Sequence, residues 1–317
     1  MKRELLILAL QIILKSEYII IRVDTVHALD LNYSRECWII FLLNLDSDGV
    51  TDPLGIFPLF FKRTTDVLAP RLAVVFRRLL RLGSFPVRWR VANVFPIPKC
   101  SPSSSVANYR PITLPPILSK VLESFVSVRL GRFMECRGVL PTTQFAHRKG
   151  LGTCDAILCV AHTLQSALEM GQEARMVQID VSAFDKVNHR GIFFTLCFVG
   201  VWGSVLSVLT QFLSNRSQFV ELDGCRSKLV NLVSGVPHRN VLDPQLFLLY
   251  TAELISVVEN KLYGYAHDST LVAVVLSPAE RVAGDESWSK LWISDLSRVS
   301  VWCDLWRMKL KTTSKTK

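Results

Sequence analysis

Apolar residues recur at helical spacing in six stretches of this chain and alternate with polar residues in several shorter ones. The helical spacing predicts helices over residues 65–82, 117–137, 153–170, 205–213, 244–258 and 291–306. The alternation and the short apolar runs predict strands over residues 91–98, 109–114, 175–181, 219–222, 262–266 and 271–275. Helices and strands in this order, with hairpins among them, are typical of an α+β domain in which helices pack behind a sheet.

Two acidic residues lie where this pattern predicts strand ends. Asp180 is near the end of the clearest strand, in which Val177 and Val181 point to one face and Asp180 to the other. Asp268 lies at the tip of the last predicted hairpin. Acids that converge from neighbouring strands are typical of sites where divalent metal ions assist phosphoryl transfer. Single acids at turns are more often simply solvated, so both interpretations stay open at this level.

Basic residues outnumber acidic ones, and the excess lies in one part of the chain. The sequence has 37 Lys and Arg against 27 Asp and Glu, a net charge of +10, and half of its residues are apolar, which excludes a disordered chain. Residues 61–150 contain 16 basic and three acidic residues. This region predicts a surface for a polyanion, with a solvated cationic face as the alternative. The residues expected to contact nucleic acid are Arg77, Arg78, Arg81, Arg88, Arg90, Arg148 and Lys149.

Residues 1–50 are predicted to form an apolar leader that is separate from the domain. Lys2 and Arg3 precede an apolar run over residues 5–14, as in a secretory signal, but no small-residue cleavage site follows. The run is also too short to span a bilayer. We therefore favour a buried or poorly ordered leader over a membrane-directed protein. The eight cysteines lack C-x-x-C spacing, which favours reduced thiols in an intracellular protein, nuclear or cytoplasmic.

Seven segments follow one another in an order that is highly specific. They read Asn-Val-Phe-Pro-Ile-Pro-Lys at 93–99, Asn-Tyr-Arg-Pro-Ile at 108–112, Gln-Phe-Ala-His-Arg-Lys-Gly at 144–150, Ile-Asp-Val-Ser-Ala-Phe-Asp at 179–185, Ser-Gly-Val-Pro at 234–237, Tyr-Ala-His-Asp at 265–268, and the stretch 302–317. On these segments, residues 51–317 resemble the reverse transcriptase domain of a jockey-like retrotransposon, a kind that lacks long terminal repeats.

The resemblance implies a right-hand polymerase fold with fingers and palm present and the thumb missing. Residues 51–175 would form the fingers and their approach, and residues 176–317 the palm, truncated before the thumb. It also implies an RNA-directed DNA polymerase whose partners are an RNA template, a DNA primer and deoxynucleoside triphosphates. The implied cofactor is a pair of Mg²⁺ ions, and no stable membrane association is expected.

The resemblance further implies roles for individual residues. Asp180 and Asp268 would be catalytic residues and metal ligands. His267 stands where the family has the aspartate that joins Asp180 at the metal. The positions that would bind the incoming nucleotide, with its triphosphate held by the two cations, are Lys99, Arg110, Phe184, Gly235, Pro237 and His238.

The chain departs from the family pattern at the positions of its chemistry. His267 replaces a carboxylate with a softer ligand that carries no negative charge, and one charged interaction is worth about 1.5–3 kcal/mol. Only two residues separate Asp180 from Ala183, one fewer than in the family, so either Asp180 or Phe184 is displaced unless the turn after the strand absorbs the deletion.

Three glycines of the family pattern are also replaced, by Arg239, Asp243 and Arg307. Where such a position needs positive φ, each replacement costs about 1 kcal/mol. The sequence therefore predicts a reverse transcriptase-like domain that is catalytically impaired. The alternatives are a non-catalytic nucleic-acid-binding remnant, an active polymerase and a membrane-directed protein.

Overall fold

A computed structural model describes residues 35–45, 52–99, 105–181, 187–222, 224–232, 234–235, 240–274 and 285–310. Three of the predicted site residues, Phe184, Pro237 and His238, lie outside the described residues, as do Arg239 and most of the predicted leader. No helix within the described ranges is both long and apolar enough to cross a membrane.

The described ranges contain nine α-helices. They are α1 (Arg35–Leu43), α2 (Pro58–Arg63), α3 (Thr65–Leu82), α4 (Ile117–Cys136), α5 (Thr153–Glu169), α6 (His189–Phe198), α7 (Gly203–Leu213), α8 (Asp243–Thr251) and α9 (Asp285–Trp306). All six predicted helices are present. The helix predicted over residues 244–258 leaves α-helical geometry at Thr251 and continues as a 3-10 segment, Ala252–Ser256.

Eight strands form two sheets in the same ranges. They are β1 (Val91–Pro98), β2 (Tyr109–Leu114), β3 (Ala174–Asp180), β4 (Arg216–Leu222), β5 (Cys225–Arg226), β6 (Val230–Leu232), β7 (Lys261–Tyr265) and β8 (Asp268–Val274). In the first sheet β1 pairs antiparallel with β2 and parallel with β4, and β5 and β6 both pair with β4. The second sheet is antiparallel, in the order β3-β8-β7. This mixed architecture matches the predicted α+β class.

Helix α1 belongs to the main hydrophobic core. The Trp38 side chain is 0% exposed, and its ring stacks on Phe76 of α3 with 4.6 Å between centroids. Its centroid also lies 5.1 Å from that of Phe125 in α4. Helix α1 falls within the leader predicted over residues 1–50, and this part of it is buried rather than poorly ordered.

The last helix ends in left-handed backbone. The Arg307 amide donates to the Asp304 carbonyl at 3.3 Å, and the Met308 amide donates to the Cys303 carbonyl at 2.8 Å. This pair of bonds is a Schellman ending, in which glycine usually takes the left-handed position. Here Arg307 holds φ at 56°, at a cost of about 1 kcal/mol. The strain expected from one of the three replaced glycines is therefore present at Arg307.

Arg307→Gly should raise the free energy of unfolding by about 0.5–1 kcal/mol, because relief of the Cβ strain exceeds the chain entropy that glycine adds to the unfolded state. Arg307→Ala is the matched control, since it removes the same side-chain charge and keeps the Cβ. Urea unfolding measures both variants. Equal stabilities for Arg307→Gly and Arg307→Ala would contradict strain at this position.

Candidate metal and nucleic-acid site

Two strand ends bring Asp180 and Asp268 together. Asp180 is the last residue of β3, Asp268 is the first of β8, and the two are directly opposite in the antiparallel pair. Ile179 and Val181 are buried on the core side, so the side chain of Asp180 between them points away from the core. Asp180 is half-buried and Asp268 is exposed. Asp180 thus lies beside Asp268 in spite of the missing residue, which is the placement expected if Asp180 keeps its position.

His267 completes a cluster with the two acids. Asp180, His267 and Asp268 each offer a ligand atom within 4.8 Å of the other two. The His267 Nε2 atom lies 3.7 Å from Asp268 Oδ2. The backbone carbonyl of His267 accepts a hydrogen bond of 3.2 Å from the Val181 amide, which joins the turn to the strand that carries Asp180. His267 Nδ1 is buried and has no hydrogen-bond partner among the described residues.

Gln144 supports this hairpin from behind, a role the sequence did not suggest. Its side-chain oxygen accepts from the amide of Ala266 at 3.4 Å and from that of Ala146 at 3.2 Å. A Cβ on Gly264 would lie 2.7 Å from the Gln144 amide nitrogen, so only glycine leaves room for this contact. Gln144 is the first residue of the third of the seven family segments, and its place in that segment was the one available signal. Gln144 and Gly264 together therefore hold the backbone of the hairpin that carries His267 and Asp268.

Lys99 and Arg110 lie at the same end of the first sheet. The Lys99 amide donates to the Asn108 carbonyl at 2.8 Å, and Arg110 is opposite Ile97 in the antiparallel pair of β1 and β2. Both cationic side chains belong to exposed residues. The pairing of β1 with β2 therefore brings Lys99 and Arg110, the two residues predicted to hold a triphosphate, near each other at one end of the sheet.

Gly235, the described member of the predicted nucleotide loop, is buried and has left-handed backbone, with φ at 83°. Its amide donates to the Val187 carbonyl at 2.8 Å. Its carbonyl lies 2.7 Å from the Nε2 atom of His189. Gly235 thus anchors the loop to the start of α6, and its role toward a nucleotide stays a prediction.

Most of the basic residues predicted to bind nucleic acid are on the surface. Arg78, Arg81, Arg88 and Lys149 are exposed, and Arg77 is half-buried. Arg78 and Arg81 are three residues apart in α3, so they lie on the same side of that helix. The exposed residues Arg78, Arg81, Arg88 and Lys149 are accessible to phosphate groups.

Two of the predicted nucleic-acid ligands are instead engaged within the protein. Arg90 is buried, and its Nη2 atom donates to the Phe85 carbonyl at 2.8 Å and to Gln211 Oε1 at 2.9 Å. Arg148 donates to both carboxylate oxygens of Glu135 at 2.7 Å and to two backbone carbonyls. Arg90 and Arg148 thus hold neighbouring segments of the protein in place, and their contact with phosphate stays a prediction.

Glu123, Arg216 and Asp243 form a buried group of charges outside the cluster of Asp180. Their exposed fractions are 0%, 1% and 2%. Glu123 accepts from the Ser119 hydroxyl at 2.6 Å, and Asp243 Oδ2 accepts from the Asn240 amide at 2.8 Å. Asp243 Oδ1 and Arg216 Nη2 have no hydrogen-bond partner within the described ranges.

Burial dominates the electrostatics of this group. Desolvation raises the pKa of Asp243 well above its ordinary value, and the negative charge of Glu123 raises it further. Desolvation also raises the pKa of Glu123, an effect that Arg216 opposes. Asp243 begins α8 and is not one of the non-glycine residues with positive φ in the described ranges. The strain expected from its replacement of a glycine is therefore absent, and burial of a carboxylate takes its place.

Comparison with known families gives a match over most of the chain. Residues 97–317 match the family described as "Reverse transcriptase (RNA-dependent DNA polymerase)". This span contains Asp180, His267 and Asp268, the three residues that the structure brings together.

Curated relatives match over part of their own length. The chain is similar to "Probable RNA-directed DNA polymerase from transposon X-element" of Drosophila melanogaster, with 30% identity over 185 residues, 58% of this chain and 20% of the relative. It is similar to "RNA-directed DNA polymerase from mobile element jockey" of Drosophila funebris, with 30% identity over 204 residues, 64% of this chain and 22% of the relative. It is similar to "Probable RNA-directed DNA polymerase from transposon BS" of Drosophila melanogaster, with 28% identity over 255 residues, 75% of this chain and 27% of the relative. The chain thus spans about a quarter or less of these relatives.

Proposed function

Because this chain belongs to the reverse transcriptase family, we propose that it is a mobile-element domain that binds an RNA template and a DNA primer but is catalytically impaired. In this proposal residues 51–175 act as fingers and residues 176–317 as a palm. The domain acts inside the cell, in the nucleus or cytoplasm, where its nucleic acids are. The observation that carries the impairment is the presence of His267, rather than a third carboxylate, in the cluster with Asp180 and Asp268.

The residues of the cluster do not fit the pair of Mg²⁺ ions that the family generally uses. Mg²⁺ requires oxygen ligands in near-ideal octahedral geometry and is usually bound by carboxylates. The cluster offers two carboxylates and one imidazole, so one hard anionic ligand is missing and a nitrogen takes its place. A pair of divalent ions would also be less neutralised by two negative charges than by three. Polymerisation that depends on two such ions is therefore impaired.

Nucleic-acid binding does not depend on this cluster. Arg78, Arg81 and Arg88 are exposed and close in sequence, and Lys149 is exposed in a second segment. Basic groups of this kind bind phosphates without regard to base sequence and release counterions when they do so. The nucleotide-binding roles of Lys99, Arg110, Phe184, Gly235, Pro237 and His238 belong to the same proposal, as does binding of deoxynucleoside triphosphates.

The affinity of the chain for an RNA–DNA duplex should fall steeply as salt is raised from about 50 to 200 mM. Joint replacement of Arg78, Arg81 and Arg88 with serine should lower the slope of log affinity against log salt by up to about three, about one for each phosphate contact. Fluorescence anisotropy with a labelled duplex measures both effects.

The control is Lys228→Ser, which removes an exposed positive charge outside residues 61–150. This variant should leave the slope unchanged. A salt-independent affinity, or a loss on Lys228→Ser as large as that of the triple variant, would contradict a defined basic surface.

Primer extension by the same preparation in Mg²⁺ and in Mn²⁺ tests the impairment directly, and we expect little or no product.

A further inference from the structure

We propose that Asp180, His267 and Asp268 bind one divalent transition-metal ion of the zinc class in preference to Mg²⁺. The ligand atoms would be two carboxylate oxygens and one imidazole nitrogen. The inference rests on the proposed function, because it gives a ligand to the same cluster. It goes beyond that function by naming a different metal and a single ion.

The three side chains need to move only slightly closer together to bind one ion. Zinc binds nitrogen and oxygen at about 2.0–2.2 Å, so tetrahedral ligand atoms lie about 3.4 Å apart. The His267 Nε2 and Asp268 Oδ2 atoms are 3.7 Å apart, and the ligand atoms of all three residues are within 4.8 Å of one another. The side chain of Asp268 is 67% exposed and that of His267 is 35% exposed. Small side-chain rotations are therefore enough to bring all three ligand atoms around one ion.

The nitrogen available to a metal is Nε2. His267 Nδ1 is buried, whereas Nε2 is the atom that lies close to the Asp268 carboxylate. Imidazole nitrogen suits zinc, copper and nickel, whereas Mg²⁺ and Ca²⁺ prefer oxygen ligands. The nitrogen therefore sets the expected selectivity of the cluster.

The charge of the cluster fits one divalent ion. Two carboxylates neutralise its two positive charges, so a single bound ion leaves no net charge on the group. A metal-bound histidine usually donates its second ring N–H to a partner. Nδ1 has none among the described residues, which lowers the expected affinity by about 10- to 100-fold relative to a supported site.

The test is equilibrium dialysis of the whole chain against Zn²⁺ alone and Mg²⁺ alone. We expect the chain to bind Zn²⁺ more tightly than Mg²⁺. His267→Ala should weaken Zn²⁺ binding by about tenfold or more and leave Mg²⁺ binding unchanged, because only the nitrogen ligand is lost. His267→Asp should strengthen Mg²⁺ binding and so lower the ratio of the two affinities.

A matched control tests whether a different histidine in the chain is the Zn²⁺ ligand. His162 lies on α5 near Cys159, and both line a surface cavity with Tyr263. His162→Ala should leave Zn²⁺ binding unchanged. Co²⁺ provides a second readout, because its visible absorption reports nitrogen and oxygen coordination, and the bands should persist in His162→Ala and disappear in His267→Ala. If His267→Ala does not fold by circular dichroism, His267→Asn, which is close to histidine in size, takes its place.

Zn²⁺ binding that is unchanged in the His267 variants, or lost in His162→Ala, would overturn the inference. A preference of the unaltered chain for Mg²⁺ over Zn²⁺ would overturn the inference as well. The salt titration with RNA–DNA duplex is independent of this outcome. Retained duplex binding with no zinc selectivity rejects the metal assignment alone, whereas loss of salt-dependent duplex binding rejects the proposed function.

Discussion

His267→Asp combined with one residue inserted between Asp180 and Ala183 should increase primer extension about 100-fold over the unaltered chain. An error of about 1 Å in the position of a reacting group can cost 10²-fold in rate. The substitution restores the third carboxylate, and the insertion restores the length of the segment that follows β3. Single-turnover extension of an annealed primer measures the gain.

The structure explains why both changes are needed. Asp180 is already directly opposite Asp268, and Val181 is already tied to the His267 carbonyl. The insertion is therefore placed after Val181, between Asp180 and Ala183, where the chain has one residue fewer than the family pattern. His267→Asp alone should raise Mg²⁺ affinity and recover little turnover, because the segment that leads to Phe184, a predicted nucleotide-binding residue, is still one residue shorter than in the family pattern. Effects of groups that act as a unit are not additive.

The insertion without His267→Asp is the control for the length of the segment. It should remain close to the unaltered chain in rate. Robust extension by the unaltered chain would refute the impairment outright. Failure of the combined repair in a variant that keeps its circular dichroism and its duplex affinity would show that the fault lies elsewhere in the domain.

Local patterns were sufficient to predict most of the secondary structure. The strands predicted over residues 91–98 and 109–114 match β1 and β2 residue for residue, because apolar alternation and flanking polar loops are local signals. The parallel pairing of Val91 with Ser217 is not local. Nothing in either strand's own sequence specifies a partner more than 120 residues away, so the division of the strands into two sheets could not be predicted.

The candidate site shows the same division between local and distant signals. The proximity of Asp180 and Asp268 follows from two strand ends that each carry a polar residue among apolar ones. Arg90 and Arg148 looked like members of a basic surface, but their partners come from the protein itself. Charge counts report how many cations a region contains and cannot report which of them are already paired.

The buried group of Glu123, Arg216 and Asp243 had no sequence signal at all. Each residue is separated from the others along the chain, and charged residues are usually exposed. In the sequence, Asp243 is notable only because it replaces a glycine of the family pattern, which predicts backbone strain and not burial of a charge. Burial of its carboxylate emerges only when α4, β4 and α8 are packed together.

Arg216→Met should lower the free energy of unfolding by about 3–5 kcal/mol near neutral pH, because it leaves two buried carboxylates without their cation. The Arg216 side chain is 1% exposed, and its Nη1 atom donates to the Phe212 carbonyl at 2.9 Å. Methionine keeps much of the apolar stem, so the loss measures mainly the charge. Arg132→Met is the matched control at an exposed position of α4 and should change stability by less than about 0.5 kcal/mol.

Asp243→Asn should partly rescue Arg216→Met and should stabilise the unaltered chain as pH rises. Burial, followed by the charge of Glu123, raises the pKa of Asp243 in the folded state, so the folded state binds a proton more tightly than the unfolded state does. Stability from this group is therefore full below its ordinary pKa and is lost as pH rises toward the folded value. The stability difference between Asp243→Asn and the unaltered chain should grow through that window.

Urea unfolding at a series of pH values above about 4, where an unfolded Asp ionises, checks both variants. The cost of Arg216→Met should be smaller at the acidic end, because protonation of Glu123 and Asp243 removes the uncompensated charge that the arginine otherwise balances. Burial lowers the pKa of Arg216 and the charge of Arg90 lowers it further, whereas Glu123 and Asp243 raise it. A cost of Arg216→Met that is independent of pH, or no rescue by Asp243→Asn, would show that the side chain acts through its packing on Phe212 rather than through its charge.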